Sequence, residues 1–151
     1  GLMSSSPVPL IYRAGLSLLE SRATPPGKMQ RRLIGEAQND LLKAIRLWPH
    51  SCFADYLLGV TYYEAEFYED AEDSLLHALD VDPQFSEPHL ALGNVYIKLQ
   101  EWDRALLHVN TYLAGTENAE GLHNLQAIRS RLQNIIENET ISLESGAADL
   151  P

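Results

Sequence analysis

The sequence predicts an all-α fold of paired helices finished by one closing helix. Three observations carry this reading. The stretch LGVTYYEAEFYEDAEDSLLHALDVDP, from Leu58, is written again from Leu92 as LGNVYIKLQEWDRALLHVNTYLAGTE. Apolar residues within each stretch recur at steps of three and four, the period of a helix. A partial third copy lies upstream, where Ala37, Leu41, Ala44 and Pro49 precede Ala71, Leu75, Ala78 and Pro83 by the same interval.

PLIYRAGLSLLESR, from Pro9 to Arg22, reads as an amphipathic helix, with Gly15 as the counterpart of Gly59. The step from Gly15 to Ala37 is longer than the step from Gly59 to Ala71, and the excess is an insertion around ATPPGKMQRR. Pro25-Pro26-Gly27 forces a turn there, and the second helix is expected to begin near Lys28. The next pair carries Phe53, Tyr56, Leu57, Val60 and Tyr63 on its first helix, and Ala71, Leu75, Ala78 and Leu79 on its second. Pro83 ends that second helix, because an interior proline lacks an N–H and clashes with the preceding turn.

Ser86, Glu87 and Pro88 suit the opening of the third pair. Glycine inside a helix costs about 1 kcal/mol relative to alanine. Gly59 and Gly93 at one phase therefore predict close helix contacts with no room for a Cβ. Finally, Ala119, Leu122, Leu125, Ile128, Leu132, Ile135 and Ile136 mark a long amphipathic helix to about Asn138. It would cover the bare end of the stack, with Arg129, Arg131, Gln133 and Glu137 outward. NETISLESGAADLP has little helical drive and is expected to lack structure.

Helix-turn-helix units of about 34 residues with this density of matches resemble the tetratricopeptide repeat family. The residues that carry the resemblance are Leu58, Gly59, Tyr62, Tyr68, Ala71, Leu75, Ala78 and Pro83, then Leu92, Gly93, Tyr96, Trp102, Ala105 and Val109. Asp55 and His89 depart from it, since the family usually places a large apolar residue there. The resemblance implies a right-handed α–α superhelix of about three helix pairs plus a C-terminal capping helix. It divides one domain over 1–151 into a degenerate repeat with an inserted loop (9–51), repeats at 52–85 and 86–117, a cap at 118–138 and a tail at 139–151. Bacterial members often end in such a cap.

The resemblance further implies a concave face lined by the first helix of each pair. Carried onto this chain, that face is Phe53, Tyr56, Val60, Tyr63 and Glu64 from one helix and Glu87, Leu90, Asn94, Ile97 and Lys98 from the next. The displaced first helix adds Tyr12 and Leu16. Some members grip a C-terminal carboxylate with Lys, Arg and Asn. Only Asn94 and Lys98 offer that here, so a groove reading apolar or aromatic side chains is expected instead of an acidic C-terminal carboxylate.

Charge narrows the partners. The net charge is −10, unevenly spread: seven Lys/Arg against three Asp/Glu up to Arg46, then no Lys or Arg and ten Asp/Glu from Leu47 to Ile97. Such a middle repels a phosphate backbone, so nucleic-acid binding is not expected. The acidic block reads as a solvated face, a surface for a cationic partner, or a contact with the basic first third of another copy. No apolar run approaches the roughly 20 residues that cross a bilayer, so no membrane insertion is expected. No secretion signal is read, and the compartment stays open.

The one cysteine, Cys52, has no His/Cys cluster around it and reads as a small helix residue. Gly-rich phosphate loops, GxSxG and HExxH are absent from the sequence. His77 and His108 fall on second helices of different repeats, where packing is a better reading than a metal site. No catalytic residue, metal or cofactor is expected. The sequence reading is thus a non-enzymatic protein–protein interaction module that binds a protein or peptide segment. The alternative is self-assembly of a homo-oligomer through charge-asymmetric contacts.

Overall fold

The computed structural model describes residues 6–116 and 122–148. Among the described residues, seven helices follow one another: α1 (Val8–Ala23), α2 (Lys28–Leu47), α3 (Cys52–Glu64), α4 (Tyr68–Val81), α5 (Glu87–Lys98), α6 (Trp102–Gly115) and α7 (Leu122–Ala148). The same residues contain no strand. The chain clusters into two compact units, residues 1–91 and 92–151.

In the first unit, Pro9 opens α1, where its fixed φ suits the first turn and its missing N–H goes unneeded. After Pro25-Pro26-Gly27, α2 begins at Lys28, the start expected from the insertion. The Ser51 hydroxyl caps α3 by accepting the Ala54 N–H at 3.2 Å. Ala14 and Leu18 of α1, Ala37 and Leu41 of α2, and Leu58 and Val60 of α3 form one buried cluster. Small residues let the backbones approach while leucines fill the gaps between them.

Among the described glycines, Gly59 at the α3–α4 contact has the least room. A Cβ built on Gly59 would stand 2.5 Å from Leu75 Cγ and 3.2 Å from the Ala71 carbonyl oxygen. Leu75 is fully buried, so it has nowhere to retreat. Gly15 behaves otherwise. Nothing lies within 4 Å of its would-be Cβ, so it is not the packing counterpart of Gly59. The longer α1–α2 connection lets that pair meet through Ala14 and Leu18 instead.

In the second unit, Leu92, Val95 and Tyr96 of α5 are buried, as are Ala105 and Val109 of α6 and Leu132 of α7. Gly93 repeats the close approach more loosely, with Val109 Cγ2 at 3.0 Å from its would-be Cβ. Tyr96 stacks on His108 at 5.4 Å between ring centroids, and the Arg104 guanidinium sits 5.5 Å over the tyrosine ring.

The turn after each first helix is also repeated. Phe67 N–H donates to the Tyr62 carbonyl and Glu66 N–H to that of Tyr63; one repeat later, Glu101 donates to Tyr96 and Gln100 to Ile97. This paired pattern is a Schellman cap. Glu66 (φ 65°) and Gln100 (φ 59°) hold its left-handed position, which glycine usually takes.

The closing helix differs from its sequence reading. Its expected start at 118 and the expected end of the preceding repeat at 117 lie outside the described residues. Its end is described, and α7 continues to Ala148, past the 138 boundary and through most of the expected tail. Propagation adds one hydrogen bond per residue once a nucleus exists. A helix anchored by Leu132 therefore runs on through residues that would not start one. Trp102 Nε1–H donates to Glu139 Oε1 at 2.9 Å and ties this extension to the start of α6.

Candidate functional site

A cleft of about 560 Å³ opens in the first unit, and its lining comes wholly from α1 and α3. Helical spacing places Val8, Tyr12, Leu16 and Leu19 along one edge of α1, and all four are exposed. Leu18 and Val60 form the floor and belong also to the core. Gly15 leaves the wall open between Tyr12 and Leu19. Opposite, Phe53, Tyr56 and Leu57 of α3 complete the lining.

An aromatic shelf forms at the start of α3. Tyr56 meets Phe85 edge-on with centroids 5.3 Å apart, and Phe53 lies 6.2 Å from Tyr56 and 6.5 Å from Phe85. Such pairs are worth about 0.5–1.5 kcal/mol beyond the area they bury, which holds the rings in place before anything binds. Phe53 nonetheless remains 49% exposed. At the other end, Arg22 Nε–H donates to Glu64 Oε1 at 2.9 Å and joins the last turns of the two helices. Arg22 is the charged residue of the lining.

The structure thus gathers Phe53, Tyr56 and Val60, with Tyr12 and Leu16, around one cleft, and sets Glu64 at its end through Arg22. Tyr63 turns away and packs on Tyr68 at 5.7 Å between centroids. Glu87 is exposed and accepts the Ser86 hydroxyl at 3.2 Å; Leu90 is half-buried. Neither lines the cleft. Asn94 and Lys98 are exposed and Ile97 is half-buried, all in the second unit. Val8, Ile11, Leu19 and Arg22 were not in the sequence reading of the site, although α1 carries them at the same helical spacing as Tyr12 and Leu16.

Two buried carboxylates flank this region without entering it. Asp40 of α2 receives both the Nε–H and an Nη2–H of Arg13 at 2.5 Å, and this guanidinium holds its carboxyl below the usual range. Asp55 of α3 is held by His77 Nδ1 at 2.7 Å. Burial pushes the Asp55 carboxyl up, although the bond to His77 pulls the other way. The departure noted at Asp55 therefore has a partner on α4. Burial also lowers His89. Among the described residues, no three His, Cys, Asp or Glu side chains gather as a metal site. None of the described helices is long and apolar enough to cross a membrane.

The repeated helix pairs, with Gly59 and Gly93 at one phase, match solved repeat domains in fold. The first such domain of Spaghetti (RPAP3), bound to the HSP90 peptide SRMEEVD, superposes with a TM-score of 0.61 at 15% identity, covering 82% of this chain and 98% of that one. The Sgt2 domain of Aspergillus fumigatus gives 0.65 at 16% identity, covering 84% and 81%. The fold is that of tetratricopeptide repeat domains. At these identities the likeness concerns the tetratricopeptide repeat fold alone. No family model matches the chain. In sequence, 73 residues are 32% identical to anaphase-promoting complex subunit 3 of Dictyostelium discoideum. That match takes in 48% of this chain and 8% of the relative's length.

Proposed function

We propose that this chain is a non-enzymatic protein-interaction module that takes an apolar segment of a protein partner into the cleft between α1 and α3. The observation that supports this reading most is the lining, in which aliphatic and aromatic side chains stand open to solvent and Arg22 is already engaged by Glu64. Clefts of about 300–1,000 Å³ with an apolar wall and few polar groups are the usual form of a binding site. Phe53 and Tyr56 are the anchors, because aromatic rings offer large contact area at low entropic cost.

The Spaghetti domain binds an acidic peptide ending in EEVD. A cleft whose guanidinium is neutralised suits apolar side chains better than a row of carboxylates. The face proposed from α5, with Asn94 and Lys98, is the place where a carboxylate would be met instead.

Selection from a displayed random-peptide library tests the reading. Wild-type protein is expected to enrich sequences rich in leucine and aromatic residues, and Tyr56→Ala and Gly15→Leu to lose them. Hits that bind both variants undiminished would place the site elsewhere. Calorimetry with SRMEEVD supplies the second arm. Micromolar binding abolished by Lys98→Ala would overturn the apolar reading.

A further inference from the structure

We propose that the outer face of α2 docks against the outer face of α4 in a second copy of this chain. The contact uses no residue of the cleft between α1 and α3 and is independent of the reading of that cleft.

The ground is a set of charges that one chain leaves unpaired. Of the seven Lys/Arg up to Arg46, Arg13, Arg22 and Arg32 are engaged by Asp40, Glu64 and Glu36. Lys28, Arg31, Lys43 and Arg46 are exposed and form no salt bridge among the described residues. All four belong to α2. On α4, Glu69, Asp70, Asp73 and Asp80 are exposed and likewise form none among the described residues. Helix α4 has no Lys or Arg of its own. Helix α2 packs on α1 and α3 but not on α4, so a single chain does not bring the two sets together.

Both sets are arranged as faces. Steps of three and four join Lys28, Arg31, Gly35, Asn39, Leu42 and Arg46 along α2, with Lys43 beside them. The buried Leu33, Ala37, Leu41 and Ala44 occupy the other side of that helix. The same steps join Glu69, Asp73, Leu76 and Asp80 on α4, away from the buried Ala71, Leu75 and Ala78. Each face carries one partly open leucine, Leu42 at 37% and Leu76 at 38%. Lys43 and Arg46 flank the first, Asp73 and Asp80 the second, so the leucines can meet while their neighbours pair. An apolar centre inside a polar rim is the usual anatomy of an interface. The 14 residues of α4 measure about 21 Å and fit within the roughly 30 Å of α2.

The net charge of −10 opposes association at a distance. At about 0.15 M salt screening shortens to about 8 Å. Charges that face each other directly then prevail over those spread across the rest of the surface, and opposite potentials fix the register.

Sedimentation of the whole chain across protein concentration provides the test, with changes confined to exposed side chains. Wild type is expected to self-associate at about 0.15 M salt and to dissociate at about 1 M, where screening shortens to about 3 Å. Arg31→Glu with Arg46→Glu, and separately Glu69→Lys with Asp73→Lys, should each weaken association about tenfold or more, because like charges then face one another. A chain carrying all four changes keeps the wild-type net charge with the signs exchanged, and its association should return. Arg31→Glu and Arg46→Glu combined with Glu137→Lys and Glu144→Lys on α7 keeps the same net charge but leaves α4 acidic, and should stay weak.

A chain monomeric at every concentration, or an oligomer indifferent to either double reversal, overturns the proposal. So does a failure of the exchanged chain to recover, or equal recovery in the α7 control. Uptake of poly-L-glutamate by the α2 face of a monomeric chain overturns it too, by assigning that face to a separate acidic partner. Peptide selection by the cleft should be unchanged in every variant, so failure here is told apart from failure of the cleft reading.

Discussion

The two helix pairs of the first unit each bury one carboxylate and carry a glycine on the first helix, and they treat both in opposite ways. In α1–α2, Asp40 is charge-paired with Arg13, while Gly15 faces open space. In α3–α4, Asp55 is pushed toward its neutral form by burial, while Gly59 lies against Leu75. One pair is closed by an ion pair and keeps a gap, the other by steric fit with no gap. The contrast shows how a repeat can diverge in use. The looser pair supplies one wall of the cleft through α1, and the tighter pair supplies the opposite wall through α3.

The largest expected effect separates the glycines. Gly59→Ala forces a Cβ into Leu75 and should cost about 1–3 kcal/mol, the usual penalty for overpacking. Gly15→Ala should instead stabilise by up to about 1 kcal/mol, through helix propensity. Gly93→Ala, facing Val109 at 3.0 Å, should fall between them, within about 1 kcal/mol of neutral. Urea midpoints of the three variants measure the series. Equal signs at positions 15 and 59 would break the comparison.

The carboxylates give a smaller effect with a pH signature. Asp40 is depressed below its ordinary 3.8, so its contribution is present above that value and fades as pH falls through the lower, folded one. Asp55 is raised above 3.8, so its contribution is present below that value and is lost as pH rises through the folded one. Melting curves from pH 3 to 7 should therefore show Asp40→Asn losing ground against wild type as pH rises, and Asp55→Asn gaining it. Parallel curves for the two variants would show that the pairs do not differ in this respect.

The smallest effect sharpens the cleft. Arg22 and Glu64 form a largely exposed bridge, and Arg22→Ala should change stability by less than about 1 kcal/mol. Its effect should be read in peptide affinity rather than in the melting temperature.

Much of this was legible in the sequence for a physical reason. Periodic apolar residues and the return of Gly59 as Gly93 report packing directly, because one missing Cβ at one phase has few other uses. The insertion likewise announced the start of α2 through Pro25-Pro26-Gly27. Pairings across helices were not legible. Asp55 stood out as a polar residue in an apolar place, yet nothing in the order of residues pointed to His77, 22 positions away. Gly15 misled because phase predicts packing only while connection lengths are equal. The extension of α7 to Ala148 was missed because local propensity is a weak guide once a helix is already growing.

The left-handed residues Glu66 and Gln100 have a practical consequence. Both are exposed, and each holds a backbone angle that an L side chain resists and glycine does not. Glycine at either site relieves that cost, partly offset by the greater freedom it gives the unfolded chain. Heat resistance can therefore be tuned from two loop positions in this molecule without disturbing a buried atom.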